Sequence, residues 1–393
     1  MACEVHLRGL AWDHRRCWGP LDASVSTYCA ARPGLTIEWD RRSLWEFGEG
    51  RLESPTANYD LIIYDHPFVG EVARDGLMVD LSTLLSQTQR KAFEADSLGP
   101  CWQSYCFDGG VWALPIDAAA QTASCRPDLL SRYASKPPRA FDEVLALGKS
   151  VAADDRYIAW PSIPTDVMCT VLTIAAGSGY LPSRKAPFLA QDELSHAMDA
   201  LRQLRNLAHP LSTKWNPIAC YDHMSAHDDV VYVPYAFSYV NYASSENQAP
   251  IAFTDIPAIG RGGASGALLG GAGIGVSACS KHVNAAFDYA VFLSGQDYQS
   301  GDYVRYGGQP GSLGAWTSEE ADATANGFFS ATRQTMLNSY LRPNVPGFIT
   351  FFRQAAELTS SHLAEGDASG DAQLADQLNR IIESALSDTE HAA

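Results

Sequence analysis

The chain has 393 residues, 46% of them hydrophobic, and a net charge of −17 from 45 acidic and 28 basic side chains. This length allows two or three domains with real hydrophobic cores. Nucleic acids and anionic membrane surfaces attract basic faces, so the acidic composition argues against both classes of partner.

Neither a membrane span nor an export signal is evident in the sequence. No apolar run reaches the roughly 18 residues of a transmembrane helix, so direct membrane insertion is not expected. The first residues lack the basic start and long apolar run of a secretory signal. Nine cysteines, from Cys3 to Cys279, are scattered without a disulfide framework, which fits a reducing compartment. We therefore expect a cytoplasmic chain, or a periplasmic or extracellular one if a signal has been removed.

Strand and helix signals alternate over residues 1–115. Apolar or β-rich runs predict strands at 5–11, 35–39 and 59–64, with a helix near 21–31. Strands that alternate with helices in this way are typical of parallel βαβ units.

The rest of the chain is richer in helix signals. The clearest helix is 191–208, where apolar residues recur at helical spacing. Further helices are predicted at 142–152, 167–176, 284–293 and 373–386. Strands are predicted at 157–161 and 230–236.

Two of the predicted strands end in an Asp-His pair. Trp12-Asp13-His14 follows the first strand, and Asp65-His66 follows the strand that ends at residue 64. The carboxyl ends of strands face the ligand crevice in an open α/β sheet, so these residues predict a polar small-molecule site. The alternative is that each Asp caps a helix and each His packs at a strand end.

Further candidate ligand contacts are polar or aromatic residues beyond other predicted strands. A carboxylate or amide there would bind ligand hydroxyls or amines, and an aromatic face would stack on a ring. Helix capping and ordinary core packing are the alternatives. These candidates are Asp117, Gln121, Asp166, Tyr235, Tyr239, Gln309 and Trp316.

Motifs for metals, cofactors and covalent catalysis are weak or missing. His223 and His227 are four residues apart, which is metal-ligand spacing, but their polar surroundings favour a solvated turn. There is no phosphate-binding loop, no dinucleotide fingerprint and no Gly-x-Ser-x-Gly elbow. We therefore expect no metal and no cofactor.

Five segments in order resemble family 1 extracellular solute-binding proteins, the group of ABC-importer receptors that bind sugars and other polar solutes. The resemblance is carried by the apolar run ending at Asp65, the run 111–117 and the glycine-rich run 269–276. Ser280-Lys281 with 285–287, and then 292–295, complete the pattern.

The resemblance implies a two-lobed α/β clamshell with the ligand between its lobes and hinge closure around it. Lobe 1 would contain residues 1–115 and 250–305, and lobe 2 would contain 116–249 and 306–393. It also implies a small-molecule ligand and an ABC permease as partners, and a monomer is expected.

Two functions remain open at this point. The first is a binding protein that closes over a sugar-like or amine-bearing solute for an ABC-type uptake system. The second is a cytoplasmic enzyme on the same fold, doing acid–base chemistry such as dehydration, isomerisation or a Pictet–Spengler-type cyclisation. In that case Asp13, His14, Asp65, His66 and Asp117 would be the catalytic candidates.

Overall fold

The computed structural model describes residues 4–184, 187–260 and 263–390. The chain divides into two compact units. Unit 1 comprises residues 1–118, 270–329 and 344–346. Unit 2 comprises residues 119–269, 330–343 and 347–393.

The first third of the chain confirms the predicted alternation of strands and helices. The helix predicted near 21–31 begins earlier, at Arg15, because His14 caps it and Pro20 is accommodated inside it. The elements are β1 Val5–Trp12, α1 Arg15–Ala30, β2 Leu35–Arg42, α2 Leu44–Glu49, α3 Glu53–Asn58, β3 Leu61–Tyr64, α4 Val69–Arg74, α5 Gln87–Ala95, α6 Cys101–Ser104, β4 Cys106–Phe107, β5 Gly110–Val111 and β6 Leu114–Cys125.

The middle of the chain contains the predicted helices with small shifts at their ends. The strand predicted at 157–161 is only Tyr157–Ile158, since Pro161 has no backbone N–H to donate. The elements are α7 Pro127–Leu130, α8 Phe141–Ala152, β7 Tyr157–Ile158, α9 Pro164–Gly177, α10 Gln191–Leu207, α11 Pro217–Ala226, β8 Val230–Phe237, β9 Ala252–Thr254 and β10 Leu269–Val276.

The last third is helical, as its sequence predicts. The elements are α12 Val283–Ser294, α13 Gln296–Tyr298, α14 Leu313–Thr317, α15 Glu319–Thr324, α16 Phe328–Leu337, α17 Phe348–Glu365 and α18 Asp371–Glu390.

The sheet of unit 1 has the strand order β2-β1-β3-β10. β1 runs parallel to β2 and β3, and β10 returns antiparallel to β3. β3 is buried along its whole length, as its continuous apolar run Leu61–Tyr64 predicts. Its side chains pack with Leu7 of β1 and Ile274 of β10 in one hydrophobic core. The parallel βαβ prediction is confirmed here.

Unit 2 is built on β6, β8, β7 and β9. β8 pairs antiparallel with β6 and parallel with β7, while β9 lies on β6. The central helix is α9, in which every residue from Asp166 to Gly177 is buried. It packs against α17 and α10.

Contacts assign four segments differently from the expected lobe boundaries: 116–118 and 344–346 fall in unit 1, and the two longer ones are as follows. Residues 250–269 fall in unit 2, because β9 pairs with β6 residues 123–125. Residues 306–329 fall in unit 1, where Pro310 bridges to Asp117.

Among the described residues, no helix is long and apolar enough to cross a lipid bilayer. Eight cysteines lie in the described part of the chain, and no disulfide bond joins any two of them; Cys3 lies outside it. Five of the eight are buried.

Candidate functional site

Asp13 lies at the surface just after β1, and His14 lies at the start of α1. Asp13 is exposed, whereas the His14 ring is half-buried. His14 Nδ1 accepts the Arg16 backbone N–H at 3.1 Å, so His14, rather than Asp13, caps α1. Burial and the nearby Arg16 charge lower the pKa of His14 to about 4. The imidazole is therefore neutral at pH 7.

The end of β3 holds the second Asp-His pair. Asp65 accepts the His66 backbone N–H at 2.8 Å and caps a short 3-10 helix, His66–Phe68. The same carboxylate oxygen lies 3.0 Å from His66 Nδ1. The His66 side chain is 1% exposed and that of Asp65 is 18% exposed. Asp65 is thus the more accessible member of this pair.

A buried ion pair joins α1 to the first residues of β6. Arg16 Nε lies 2.9 Å from Asp117 Oδ2, and Arg16 Nη2 donates to Asp117 Oδ1 at 3.0 Å. Burial raises the pKa of Asp117 to about 6 against the effect of Arg16, and the nearby Asp65 charge adds to the rise. Asp117 is ionised at neutral pH, and Arg16 supplies its counter-charge. The sequence analysis did not identify Arg16. Its position in the first turn of the helix that follows Asp13-His14 is the feature that could have indicated it.

β10 approaches the Asp117 backbone closely at the same point. A Cβ at Gly271 would lie 2.3 Å from the Asp117 carbonyl oxygen, and Gly271 has φ +123. Only glycine fits this approach without a shift of the backbone.

Three other candidates of unit 1 lie in its interior. Trp12 is 1% exposed and packs on Phe47, with ring centroids 4.7 Å apart. Gln309 is fully buried and donates to the Ala118 carbonyl at 2.7 Å. Trp316 is 1% exposed and donates its indole N–H to Pro310. Gln309 and Trp316 have structural partners here, so the alternative of core packing describes both.

The indole N–H of Trp12 differs from that of Trp316. It is buried and has no acceptor among the described residues. An unpaired buried donor costs roughly 1–3 kcal/mol, so an incoming acceptor would be stabilised there.

In unit 2, Gln121 and Tyr235 have structural partners. Gln121 donates to Thr170 Oγ1 at 3.1 Å and accepts from Thr173 Oγ1 at 2.5 Å, which fastens β6 to α9. The Tyr235 side chain is fully buried and its hydroxyl donates to the Pro257 carbonyl. Both side chains are buried in the unit.

Asp166 differs from Gln121 and Tyr235. It lies in the first turn of α9 and is 4% exposed. Its Oδ2 meets no hydrogen-bond donor among the described residues. Burial raises the pKa of Asp166 well above its ordinary value. An isolated buried carboxyl of this kind is what a ligand donor would stabilise.

Aromatic residues gather on the α11 side of the same unit. The Tyr239 ring is 5% exposed and lies 6.5 Å from the rings of both Tyr221 and Tyr242. The Tyr242 hydroxyl donates to Asp222 at 2.6 Å. The rings of Tyr221 and Tyr239 are buried, and Tyr242 is the most exposed of the three.

The histidines with metal-ligand spacing lie in and just after α11 rather than in a turn. His223 Nε2 is 2.8 Å from Asp229 Oδ1, and His209 Nε2 is 3.2 Å from Asp229 Oδ2. His209 Nδ1 accepts the Leu211 backbone N–H at 3.1 Å. Its proton must therefore sit on Nε2, the atom that a metal would need. We interpret His209, His223 and Asp229 as a hydrogen-bonded cluster.

A surface groove in unit 2 contains none of the candidates. It runs between α17 and α18, and its lining includes Phe351, Leu358, Arg380 and Ile381.

Each unit contains polar candidates of its own. In unit 1, His14, Arg16, Asp65 and Asp117 come together around the ends of β1 and β3. In unit 2, Asp166 lies near the Cys220 thiol of α11, and the tyrosine rings pack on one another around Tyr221 of the same helix.

Solved structures with the same arrangement of elements cover almost the whole chain. Maltose-bound MalE3 of T. maritima matches with a TM-score of 0.81 and 17% identity, over 96% of this chain and 99% of that one. The fold that carries these candidates is therefore established by comparison.

The chain has the fold of the ABC solute-binding proteins. The GacH receptor of Streptomyces glaucescens, solved unliganded and with acarbose, matches at a TM-score of 0.79 and 13% identity, over 98% of this chain and 99% of that one. A solute-binding protein of Agrobacterium radiobacter in complex with ribitol matches at 0.75 and 16%, over 97% and 99%. No family model matches the sequence. The expected two-lobed solute-binding-protein fold is confirmed.

Proposed function

We propose that this chain is a binding protein that closes over a small polar solute, sugar-like or amine-bearing, for an ABC-type uptake system. The observation that carries the proposal is the end-to-end match to the solute-binding-protein fold. The three proteins compared were solved with maltose, acarbose or ribitol, all of which are rich in hydroxyls.

The polar groups of unit 1 support hydroxyl recognition. The Asp13 and Asp65 carboxylates, which are at least partly exposed, accept hydrogen bonds. The Arg16–Asp117 ion pair holds the start of α1 against β6, so these groups are displayed on a rigid support. Asp166 and Tyr239 are the candidate contacts of unit 2.

The alternative of a cytoplasmic enzyme receives no support from the three proteins compared. The arrangement of the described side chains also points to no particular reaction. We therefore expect binding in a ratio of one to one without conversion of the solute.

The test is a thermal-shift screen of sugars, polyols, amino acids and amines, followed by titration calorimetry and mass analysis of each hit. We expect a stoichiometry of one and an unchanged compound. Conversion of the bound compound, or no stabilisation by any compound, would contradict the proposal.

A matched pair of variants tests the site in unit 1. Asp65→Asn removes an accessible carboxylate beside His66 and should weaken binding of a hit by about tenfold or more. Asp297→Asn removes an exposed carboxylate on α13 and should leave affinity unchanged. Equal affinities for the two variants would place the ligand elsewhere.

The uptake role also predicts a location and a partner. The chain should fractionate outside the cytoplasmic membrane, behave as a monomer in light scattering, and be retained by its cognate permease when loaded with solute.

A further inference from the structure

The groove between α17 and α18 is built from one stripe of each helix. Phe351, Gln354 and Leu358 recur every three or four residues along α17, and Ile381 and Ala385 lie one turn apart on α18. Residues at this spacing share a face of their helix, so the two stripes line the groove from opposite sides. Its volume is about 450 Å³, within the range of about 300–1,000 Å³ that is usual for small-molecule sites.

Phe351, Leu358 and Ile381 form the apolar part of this groove. Phe351 is fully buried and packs on Phe188, with ring centroids 4.9 Å apart. Leu358 is 37% exposed, and Ile381 is partly exposed. Apolar surface that is left in contact with water is stabilised when an apolar group covers it. The groove therefore favours a ligand with an apolar body.

Arg380 is the one charged side chain among the nine described residues that line the groove. It is exposed, and it forms no hydrogen bond or ion pair with other residues that the structure describes. Asp376 and Glu383 lie one turn away on α18 but do not line the groove, and Asp376 Oδ1 accepts from Gln191 at 3.0 Å. A guanidinium binds a carboxylate through two parallel N–H donors. The Arg380 charge is therefore available to an anion in the groove.

The size of the groove favours a small ligand over a protein partner. Nine described residues line it, whereas a stable protein interface takes about 20–30 residues on each side. The net charge of −17 repels anions at long range, but physiological salt screens that repulsion beyond about 8 Å. The local charge of Arg380 therefore decides the sign of the ligand.

We propose that this groove is a second binding site, for a small organic acid with an apolar body. The carboxylate pairs with Arg380, and the apolar part lies along Phe351, Leu358 and Ile381. The groove contains none of the candidate solute contacts, so this site does not depend on the proposed uptake role.

The experiment uses octanoate as the probe and octanamide, which has the same chain without the charge, as its control. Binding is followed by NMR of the full chain labelled at isoleucine and leucine methyl groups, with the signals of Ile381 and Leu358 assigned through Ile381→Val and Leu358→Met. Arg380→Gln removes the charge. Arg132→Gln is the matched control, because Arg132 is an exposed arginine of unit 2 outside the groove.

We expect octanoate to shift the methyl signals of Ile381 and Leu358 and to saturate in the millimolar range, as suits so small a ligand. Octanamide should bind at least about fivefold more weakly, because it cannot form the charged pair. Arg380→Gln should lower the affinity for octanoate to that for octanamide, and Arg132→Gln should leave both affinities unchanged. Leu358→Asn, followed at Ile381, should weaken binding of both probes, because it removes an apolar contact that they share.

Four results would overturn the inference. The first is equal affinity of the wild-type protein for octanoate and octanamide, and the second is an equal loss of octanoate affinity in Arg380→Gln and Arg132→Gln. The third is the absence of a saturable shift at Ile381 and Leu358. The fourth is a dimer in analytical ultracentrifugation that Leu358→Asn abolishes, which would show that a second copy of the chain covers the groove. None of these results bears on the proposed function, which the solute screen tests separately.

Discussion

Arg16 and Asp117 form a two-point ion pair across 101 residues of sequence, with side chains that are 6% and 0% exposed. One hydrogen bond and one close contact join the two groups, so each charge lies against its counter-charge in the interior. The pair joins the start of α1 to the strand that leaves unit 1, next to the two Asp-His strand ends. It is therefore the structural support of the candidate site.

Loss of one partner of this pair should destabilise the protein strongly. Asp117→Asn leaves a buried guanidinium without a counter-charge and should lower the free energy of unfolding by about 3–5 kcal/mol. Urea denaturation measures the change. The matched control is Asp22→Asn, which breaks the exposed Arg41–Asp22 pair and should cost at most about 1 kcal/mol. Similar losses of unfolding free energy in both variants would show that the buried Arg16–Asp117 pair stabilises the protein no more than the exposed pair does.

His14 should make stability depend on pH. Its pKa is about 4 in the folded chain and about 6.5 when unfolded, so the unfolded state takes up a proton first as pH falls. Stability should therefore decline between about pH 6.5 and pH 4, by about 2 kcal/mol. His14→Asn keeps a capping side chain without this titration and should reduce the decline. His14→Ala should cost about 1 kcal/mol at pH 7 through loss of the cap. Denaturation at several pH values gives both quantities.

Asp229 should stabilise unit 2 without binding a metal. Burial opposes ionisation, but the hydrogen bond and charge of His223 outweigh it and lower the pKa of Asp229. Its contribution is present above about pH 4 and is lost as pH falls through the lowered pKa. Asp229→Asn should cost about 1 kcal/mol at pH 7, since Asp229 is a third exposed.

The same cluster should reject zinc, because the His209 Nε2 that a metal needs carries a proton. Titration calorimetry with zinc chloride should show no binding at micromolar concentration. Binding that is lost in Asp229→Asn would show that His209 changes its tautomer and that the cluster is a metal site.

Ionisation of Asp166 should destabilise the folded protein, whereas ionisation of Asp229 stabilises it. Its raised pKa means that the folded chain resists ionisation, so the unfolded state loses its proton first as pH rises. The wild-type protein should become less stable than Asp166→Asn above about pH 4, and the two should converge at lower pH. Thermal denaturation from acid to neutral pH compares them. A wild-type protein that is more stable than Asp166→Asn at pH 7 would indicate a paired, ionised carboxylate instead.

The strands of unit 1 could be predicted because their signals are local. The apolar run Leu61–Tyr64 is buried on both faces, and the breaker Pro33-Gly34 separates α1 from β2. The positions of the polar residues after β1 and β3 follow from the same pattern. The solute-binding fold was predictable from the order of such segments.

The pairing of polar side chains could not be predicted in the same way. Asp117 and Gln121 are polar residues of one strand, yet their partners are Arg16 and the pair Thr170 and Thr173, all distant in sequence. Sequence shows that a group is polar but not whether the fold satisfies it. Asp166 differs from Gln121 in its neighbours in the folded chain. Gln121 has hydrogen-bond partners, whereas Asp166 Oδ2 has none among the described residues.

The reactivity of the cysteine thiols described above can be used to measure local opening of the chain. Cys279 is exposed and should react first with a thiol reagent, whereas Cys17 and Cys101 are buried in unit 1, and Cys125, Cys169 and Cys220 are buried in unit 2. Peptide mapping after a pulse of alkylating reagent would therefore show which unit opens first under mild denaturant. The same pulse in the presence of a solute would show which unit the solute protects, without any introduced label.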